Sequence, residues 1–553
     1  MRSARVLESC LYRQDRSNPF SSKHHRRHSS ESWNPEARSG FRVALACARL
    51  PGMTGSCGLP VVKNSSVEQF PMMYLVRLLF FSFLSFITGC AAIGPNYQRP
   101  SLTPPEAYRS QIDTPEATSF ADLPWWEVFQ DTALKDLVEE AVKNNYDLRL
   151  ATTRIEQARA RAGVAYAEFF PQIGYQGAVG QAHTAGQFFI PVPSGETKEV
   201  FAGLLNFAWE IDVWGRIRRS NEAALAELFA SAEFRRGVIL TLVSSVAQAY
   251  FELREFDLEL EIAQRTTDSF QKTLDLFTKR LQMGAASQLE TARAEAALAT
   301  TAATIPNFER RITAKENQIS ILLGRNPGPI PRGAALTEQM FPPKTPPGLP
   351  SQLLERRPDI RQAEQILVAA NALIGVAEAN FLPRIGLTSF YGGASPEIEN
   401  VVKGTGNIWA ATGQLAGPIF QGGRLYESYR GALAQWEGAK LQYQQSVINA
   451  LQEVSDALIN QQKLAEVQEN LGRAVGALRE SVRLSTLRYT SGLAEYFEVI
   501  EAQQQLFPTE IALVQIRRDQ LTSVVQLYRA LGGGWSMFAE QPQGPGLWPA
   551  GLP

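Results

Sequence analysis

The chain has 553 residues, 44% of them hydrophobic and 20% charged, with a formal net charge of −1 at pH 7. This composition is typical of a globular protein with several domains and excludes a polytopic helical membrane protein. Residues 1–89 hold 12 of the 54 Lys and Arg but only 5 of the 55 Asp and Glu, which leaves 42 against 50 in the rest, a net charge of −8. A mildly acidic chain is a poor candidate for binding nucleic acid.

Residues 72–89 have the pattern of a bacterial lipoprotein signal peptide. Ten apolar-biased residues, Leu78 to Ile87, follow Arg77 and precede Gly89 and Cys90. Ten residues are too few for a membrane-spanning helix, but they suit the core of a signal peptide. We therefore expect cleavage before Cys90 and lipid attachment at Cys90. A buried free cysteine is the alternative.

Residues 1–71 are rich in Ser, Arg and His and show no periodic apolar pattern. We interpret them as lying upstream of the true start at Met72 or Met73, or as a disordered extension. A peptide from this region in a whole-cell digest would contradict the first interpretation.

Beyond Cys90 the sequence repeats itself once. Residues 146–149 (YDLR) return 212 residues later as 358–361 (PDIR), whereas Gly215-Arg216 returns 208 residues later as Gly423-Arg424. The offset between the two copies therefore shortens by four residues between Pro171 and Gly215, and a loop of variable length is expected there. A unit of about 190 residues that occurs only twice predicts a duplicated domain rather than a solenoid.

These signals divide the chain into segments joined by a linker rich in Pro and Gly. We expect an N-terminal lipidated segment 90–131, a first repeat 132–325, a Pro-rich linker 326–350, a second repeat 351–534 and a tail 535–553.

Each repeat opens with a helical pattern that ends at Pro171 or Pro383, and a β-hairpin is predicted next, at about 172–212 and 384–421. Between Phe201 and Ile211 the apolar residues take every second position, which is the period of a strand. This pattern alone leaves a soluble and a membrane hairpin equally open. Tryptophans near the strand ends would suit interfacial aromatic belts; they are Trp209, Trp214 and Trp409.

A long helix follows each hairpin. Residues 216–281 contain no proline and carry an apolar heptad seam, as do the residues 208 positions later. Each helix of about 66 residues would span roughly 100 Å. Turns are predicted at Gly284 and Gly492, each followed by a shorter returning helix to Leu323 or Leu531. Pro508 should kink or break the second returning helix.

Five motifs resemble the TolC family of outer-membrane efflux channels, and most closely its OprM/NodT-like lipoprotein branch. They are residues 94–100 (GPNYQRP), 125–126 (WW), 210–216 (EIDVWGR), 355–361 (ERRPDIR) and 417–424 (GPIFQGGR). The resemblance implies an internally duplicated α+β membrane protein that forms a homotrimer. Each protomer would give four strands to a 12-stranded transmembrane β-barrel, and the helices would form a long α-helical barrel in the periplasm.

The resemblance also implies a function and partners. The chain would be the exit duct of a tripartite efflux pump in the outer membrane of a Gram-negative bacterium, contacting outer-membrane lipid, a periplasmic adaptor and an inner-membrane pump of the resistance-nodulation-division type. A type I protein secretion channel is the alternative. Drug efflux, metal efflux and protein secretion share this duct, so the sequence leaves the cargo open.

By resemblance, the gate lies at the periplasmic tip. Phe497 matches an apolar gate residue, and Glu501 and Glu498 match acidic positions, with Glu290 as the counterpart in the first half. Apolar constrictions gate by dewetting, and rings of carboxylates favour cations. No basic residue follows Gly492, so we expect Tyr489 and apolar packing to hold the closed state, with Tyr489 available to bond Glu290. The adaptor would dock on the tip turns, at Gly284, Ala285, Gly492, Leu493 and Ala494.

Two other classes of protein were weighed. An enzyme is disfavoured because the chain beyond Cys90 holds one histidine, His183, and neither a phosphate loop nor a paired metal motif, so no catalytic residue, cofactor or metal is expected. A non-conducting coiled-coil lipoprotein would explain the heptads but not two hairpins at matching places.

Overall fold

The computed structural model describes residues 92–109, 119–123, 128–183, 197–341 and 346–533. Cys90, the predicted signal segment and the tail 535–553 lie outside these residues, as does the Trp125-Trp126 motif. Among the described helices, none combines the length and the hydropathy that crossing a bilayer requires.

The two halves share one plan of short helices, a β-hairpin, a long helix and a return, but the second half has an extra helix inside its hairpin and a single returning helix. The first half contains α1 (Thr132–Asn144), α2 (Tyr146–Ala167), β1 (Gln172–His183), β2 (Thr197–Ile211), α3 (Arg216–Gln282), α4 (Gln288–Ala302) and α5 (Thr304–Leu322). The second contains α6 (Leu353–Arg356), α7 (Pro358–Ala379), β3 (Arg384–Ser395), α8 (Ile398–Lys403), β4 (Asn407–Ala416), α9 (Arg424–Thr490) and α10 (Phe497–Ala530). Single 3-10 turns occur at Phe120–Asp122 and Pro350–Gln352.

The predicted long helices are confirmed. Both α3 and α9 have 67 residues, begin 208 positions apart and follow a glycine in the left-handed conformation, Gly215 or Gly423. At 1.5 Å per residue each spans roughly 100 Å. Shorter helices lie along them: α2, α4 and α5 pack on α3, while α7 and α10 each pack on both long helices.

The returning helices differ from the predictions at two prolines. The first helix was expected to be continuous from 287 to 323, but it divides into α4 and α5 at Ala303. Pro306 explains the division, because it cannot donate to the carbonyl of Ala302 and its ring crowds that oxygen. Pro508 was expected to kink or break the second helix, yet α10 is assigned as continuous through it. Pro508 and Gln504 are both exposed, so water can satisfy the carbonyl that Pro508 leaves without a donor.

The four strands form one antiparallel sheet in the order β1-β2-β3-β4. The two hairpins therefore pair side by side through β2 and β3. The second hairpin is shorter than predicted, since β4 ends at Ala416 rather than near 421. Gly417 and Pro418 begin the predicted extension, and Pro and Gly are poor strand residues.

The main hydrophobic core lies where α1, α3, α7, α9 and α10 meet, around the fully buried Tyr250, Phe251 and Tyr443. Asp131 ties the Pro-rich linker to this core. Its carboxylate caps α1 by accepting from the backbone N–H groups of Ala133 and Leu134, and it also accepts from Tyr250 Oη (2.9 Å) and Gln339 Nε2 (2.6 Å).

The segment that follows Cys90 runs along the junction of α3 and α7. Arg219 on α3 donates to the backbone carbonyls of Ile93 and Gly94 and to Asn96 Oδ1. Arg99 pairs with Glu355 and Glu364, each at 2.5 Å. Gly94 lies against Gly375, where a Cβ would come within 2.4 Å of the Gly375 Cα. The 94–100 motif is therefore a strap that joins the two halves.

Candidate functional site

The two tip turns have the same backbone geometry. Gly284 and Gly492 both have φ of +73°, which strains any residue with a side chain. The N–H of Ala285 bonds the carbonyl of Arg280, and the N–H of Leu493 bonds that of Arg488, both in the pattern of a helix-ending glycine motif. Ala285 and Leu493 are exposed, and Ala494 is half-buried.

An aromatic cluster packs directly behind the turns. The rings of Phe277 and Tyr496 lie 4.2 Å apart, and those of Tyr489 and Tyr496 lie 5.1 Å apart. Arg280 covers the Tyr489 ring at 5.0 Å and donates to its hydroxyl. Burial raises the pKa of Tyr496 to about 12, so its hydroxyl stays protonated. The cluster holds the end of α3 to the ends of α9 and α10.

The structure corrects the expected partner of Tyr489. Its hydroxyl accepts from Arg280 rather than donating to Glu290. Glu290 instead completes a capping box at the start of α4, where its carboxylate accepts from the Ser287 N–H at 2.6 Å and Ser287 Oγ accepts from the Glu290 N–H. Its role within the chain is therefore to cap the N-terminus of α4.

Glu498, the counterpart of Glu290 in the second half, has a different environment. Its carboxylate lies 3.5 Å from the guanidinium of Arg488. No basic residue directly follows Gly492 to form an ion pair, and the cation that pairs with Glu498 precedes that glycine. The two related glutamates thus differ in what they bind.

The three α10 residues expected at the gate are all exposed near the start of that helix. Phe497 is 51% exposed, and Glu498 and Glu501 are exposed as well, whereas Val499 and Ile500 are buried in the aromatic cluster. The guanidinium of Arg293 lies 5.3 Å from the centre of the Phe497 ring. Arg293 sits in the first half where Glu501 sits in the second, so the duplicated position carries opposite charges.

Sequence reasoning missed Phe277, Arg280, Tyr496 and Arg293 as parts of the tip. Phe277 is one of the apolar residues of the heptad seam in 216–281, and Arg280 recurs 208 positions later as Arg488. Neither pattern by itself assigns a site. Aromatic residues on both sides of Gly492 were the signal that could have found the cluster.

The sheet has one apolar face and one more polar face. Every register pair joins two odd-numbered or two even-numbered residues, so the odd-numbered residues of all four strands share a face. That face carries Ile173, Tyr175, Val179, Phe201, Leu205, Phe207, Trp209, Ile211, Ile385, Leu387, Tyr391, Trp409 and Leu415. The other face is mostly Gly, Ala, Gln, Thr and charged residues, with Val200, Leu204, Phe390 and Ile408 as its larger apolar members. The predicted alternation in β2 is confirmed.

The apolar face has the height of a membrane band. From Ile211, next to the helices, to Phe201 is ten steps along β2. Ten steps of about 3.3 Å give roughly 33 Å along the strand. A tilt of about 40° reduces this to roughly 25 Å, the height of the apolar band in outer-membrane barrels. Trp209 and Trp214 anchor the helix side of the band through hydrogen bonds to the carbonyls of Phe169 (2.9 Å) and Pro383 (2.7 Å).

Comparisons with known proteins agree with this arrangement. Residues 137–325 and 349–533 match the family described as outer membrane efflux protein. The cation efflux system protein CusC of Escherichia coli O6:H1 is 31% identical over 462 residues, covering 83% of this chain and 99% of CusC. The probable outer membrane lipoprotein SilC of Salmonella typhimurium is 30% identical over 465 residues, covering 84% and 100%. The open state of the Neisseria gonorrhoeae outer membrane channel MtrE superposes with a TM-score of 0.73 at 28% identity, covering 80% of this chain and 99% of that one.

Proposed function

Because the chain belongs to the outer membrane efflux protein family and is an outer-membrane channel of an efflux system, we propose that three copies form one continuous duct. The observation that carries the proposal is the four-stranded sheet, apolar on one face only, joined directly to helices of 67 residues. A sheet of this kind suits a membrane wall, and the helices are long enough to extend roughly 100 Å from it.

Closure of the sheet requires more than one chain. Among the described strands, β1 and β4 each have a neighbour on one side only, so the sheet of one chain has two open edges. Unpaired backbone groups at such edges are not tolerated in lipid. Three sheets joined edge to edge would give a 12-stranded barrel, with the odd-numbered face towards lipid and the even-numbered face towards the lumen.

The tip forms the entrance of the duct in this proposal. Phe497 and Glu501 are one helical turn apart on the exposed side of α10. Three copies would make an apolar ring beside a ring of carboxylates, with Glu498 near it. Arg280, Tyr489 and the aromatic cluster would keep each protomer's helices in the closed arrangement, while Glu290 supports the turn through its cap.

The remaining contacts follow from the same placement. The turns at Gly284, Ala285, Gly492, Leu493 and Ala494 would receive a periplasmic adaptor, which connects the duct to an inner-membrane pump. Cys90 would carry a lipid as a second anchor, a proposal supported by the signal pattern and by the lipoprotein name of SilC. The duct has no energy source of its own in this proposal, so passage is passive.

Conductance in planar bilayers tests the proposal. Purified protein should give stepwise ion currents, because a closed barrel leaves a water-filled lumen. A correctly folded trimer that gives no current would instead favour a coiled-coil structural lipoprotein. Copurification of an inner-membrane exporter of the ABC type, in place of a resistance-nodulation-division pump, would redirect the assignment to protein secretion.

A further inference from the structure

The loop between β3 and β4 contains a short helix, α8, that is fixed by its own hydrogen bonds. The Asn400 carbonyl accepts from the Gly406 N–H at 3.1 Å, and Asn400 Oδ1 accepts from Thr405 Oγ1 at 2.9 Å. The Asn400 side chain also donates to Glu397 at 2.9 Å. Gly404, with φ of +84°, ends the helix. The loop is therefore a defined structure rather than a featureless connection.

Two paired glycines make a flat seat for α8 on the sheet. Gly203 on β2 and Gly393 on β3 are register partners on the odd-numbered face. Val401 lies over both of them: a Cβ on Gly393 would come within 2.6 Å of the Val401 carbonyl oxygen, and one on Gly203 within 3.9 Å of its Cγ1. Any side chain at 393 would push α8 away.

The helix is amphipathic, and part of its apolar side is left uncovered. Val401 faces the sheet, while Ile398 and Val402, one turn apart, are 60% and 85% exposed. Glu399 and Lys403 pair with each other about 100° around the helix from Ile398 and Val402, on the side turned away from Val401. Large apolar side chains this exposed on one side of a helix indicate a surface that contacts something apolar.

The position of α8 identifies what that surface meets. It lies on the apolar face of the sheet, at the end away from the long helices. Its glycine row is one row beyond Tyr175, Leu205, Tyr391 and Trp409 and one row short of Val179 and Phe201. The seat is therefore inside the apolar band, near its outer border.

We propose that α8 is an interfacial anchor whose Ile398 and Val402 insert among the acyl chains of the outer leaflet. The inference rests on the proposed membrane orientation of the sheet. The apolar side of α8 continues the apolar face of the barrel outward by one layer, and the Glu399–Lys403 side faces headgroups and water. The anchor fixes the depth of the barrel in the membrane from the outer side.

A fluorescent label on α8 tests the anchor. Val402→Cys and the matched Glu399→Cys are labelled with bimane and placed in phosphatidylcholine vesicles that carry a doxyl quencher near the carbonyl end of the acyl chain. The unsubstituted protein, labelled in parallel, measures the background from native cysteines. The anchor requires several-fold stronger doxyl quenching at 402 than at 399, and stronger iodide quenching at 399.

A second pair of variants tests the seat. In the Val402→Cys protein, Gly393→Ala should displace α8 and reduce the doxyl quenching. Gly177→Ala lies in the same row of the sheet, but its Cβ would have no atom nearer than 3.9 Å, so the quenching should stay unchanged. Equal losses in both variants would contradict the seat.

Conductance separates failure of the anchor from failure of the channel. If the labelled proteins conduct but doxyl quenches 402 and 399 equally, the anchor is overturned and the channel stands. If a bulky polyethylene-glycol maleimide on residue 402 blocks the current, α8 lines the lumen and the anchor is likewise overturned. If doxyl quenches 402 selectively while no preparation conducts, the channel proposal fails instead.

Discussion

Glu255 on α3 shows how a single residue can make stability depend on pH. Its side chain is 1% exposed, and its carboxylate lies 3.3 Å from the guanidinium of Arg518 on α10. Burial raises the pKa of Glu255 to about 7; Arg518 opposes this rise and Glu259 adds to it. The folded state therefore holds a proton that the unfolded chain releases at lower pH.

The resulting prediction concerns Glu255→Gln. Between pH 4.5 and about 7 the folded state binds more protons than the unfolded state, so stability falls as pH rises through this window and levels off above it. At about 1.4 kcal/mol per pKa unit the effect has an upper limit of roughly 3 kcal/mol. Thermal unfolding should show little difference between Glu255→Gln and the native protein near pH 4, and a more stable variant at pH 8.

Glu252→Gln provides the control for this effect. Glu252 is on the same helix and pairs with Lys315, but its side chain is 30% exposed. Because Glu252 is open to solvent and paired with Lys315, replacing it should not make the protein more stable at pH 8. A Glu255→Gln protein that loses stability at pH 8 would mean that the ion pair with Arg518 outweighs the cost of burying the charge.

At the tip, the gate prediction uses Phe497→Ala combined with Tyr489→Phe. The first change removes the exposed ring of the proposed constriction, and the second removes the hydroxyl that Arg280 binds. Single-channel conductance should rise severalfold. Leu289→Ala is the matched control, because Leu289 is the exposed first-half counterpart of Phe497, and it should change conductance much less. An unchanged conductance in the double variant would refute the gate.

The proposed carboxylate ring makes a separate prediction at the scale of single residues. Replacing Glu501 by Gln removes three negative charges from the entrance of a trimer, so selectivity for cations over anions should fall. Reversal potentials in a salt gradient measure this selectivity. Glu290→Gln is the comparison, since Glu290 caps α4. Equal effects in both variants would mean that the ring is not at Glu501.

At the scale of elements, whether a helix continued or divided depended on the surroundings of its prolines. The sequence predicted long helices because Pro is absent and helix formers dominate, and both were confirmed at 67 residues. It allowed for a kink or break at Pro508, where α10 continues without a break, and it overlooked Pro306, where the first returning helix divides. A proline inside a helix leaves the carbonyl four residues earlier without its N–H donor, and the free-energy cost depends on whether water can reach that carbonyl. The exposure of the carbonyl is set by the folded chain and cannot be read from the sequence.

The cap of α1 carries the element-scale prediction. Asp131→Ala removes the cap and leaves the Tyr250 hydroxyl and the Gln339 amide without their carboxylate partner. The cost should be about 3 kcal/mol, roughly 1 for the cap and 1 for each stranded group. Chemical denaturation measures it. Tyr250→Phe loses the bond to Asp131 and the bond that its hydroxyl accepts from the Gly333 N–H, so it should cost about 2 kcal/mol. Equal costs would show that the carboxylate does not join these groups cooperatively.

For the whole molecule, the prediction is the number of copies. The open edges of β1 and β4 need partners, and the proposed barrel supplies them with three chains. Native mass spectrometry of the detergent-solubilised protein should therefore give a trimer. A stable monomer that still conducts would contradict edge-to-edge closure, because four strands cannot enclose a water-filled lumen.

The sequence by itself determined the duplication, the length of the helices and the alternation of the strands, because each follows from residue periodicity that is read locally. The family could also be identified from the sequence, because its motifs are short runs of neighbouring residues. The tertiary structure decided the contacts that join distant segments. In the structure Glu290 caps α4, Glu498 pairs with Arg488, and Tyr489 accepts a hydrogen bond from Arg280. The helix α8 packs on two glycines that are 190 residues apart in the sequence. These contacts depend on how distant segments meet in the fold. For that reason Glu290 and Glu498, which occupy the same position in the two repeats, have different partners.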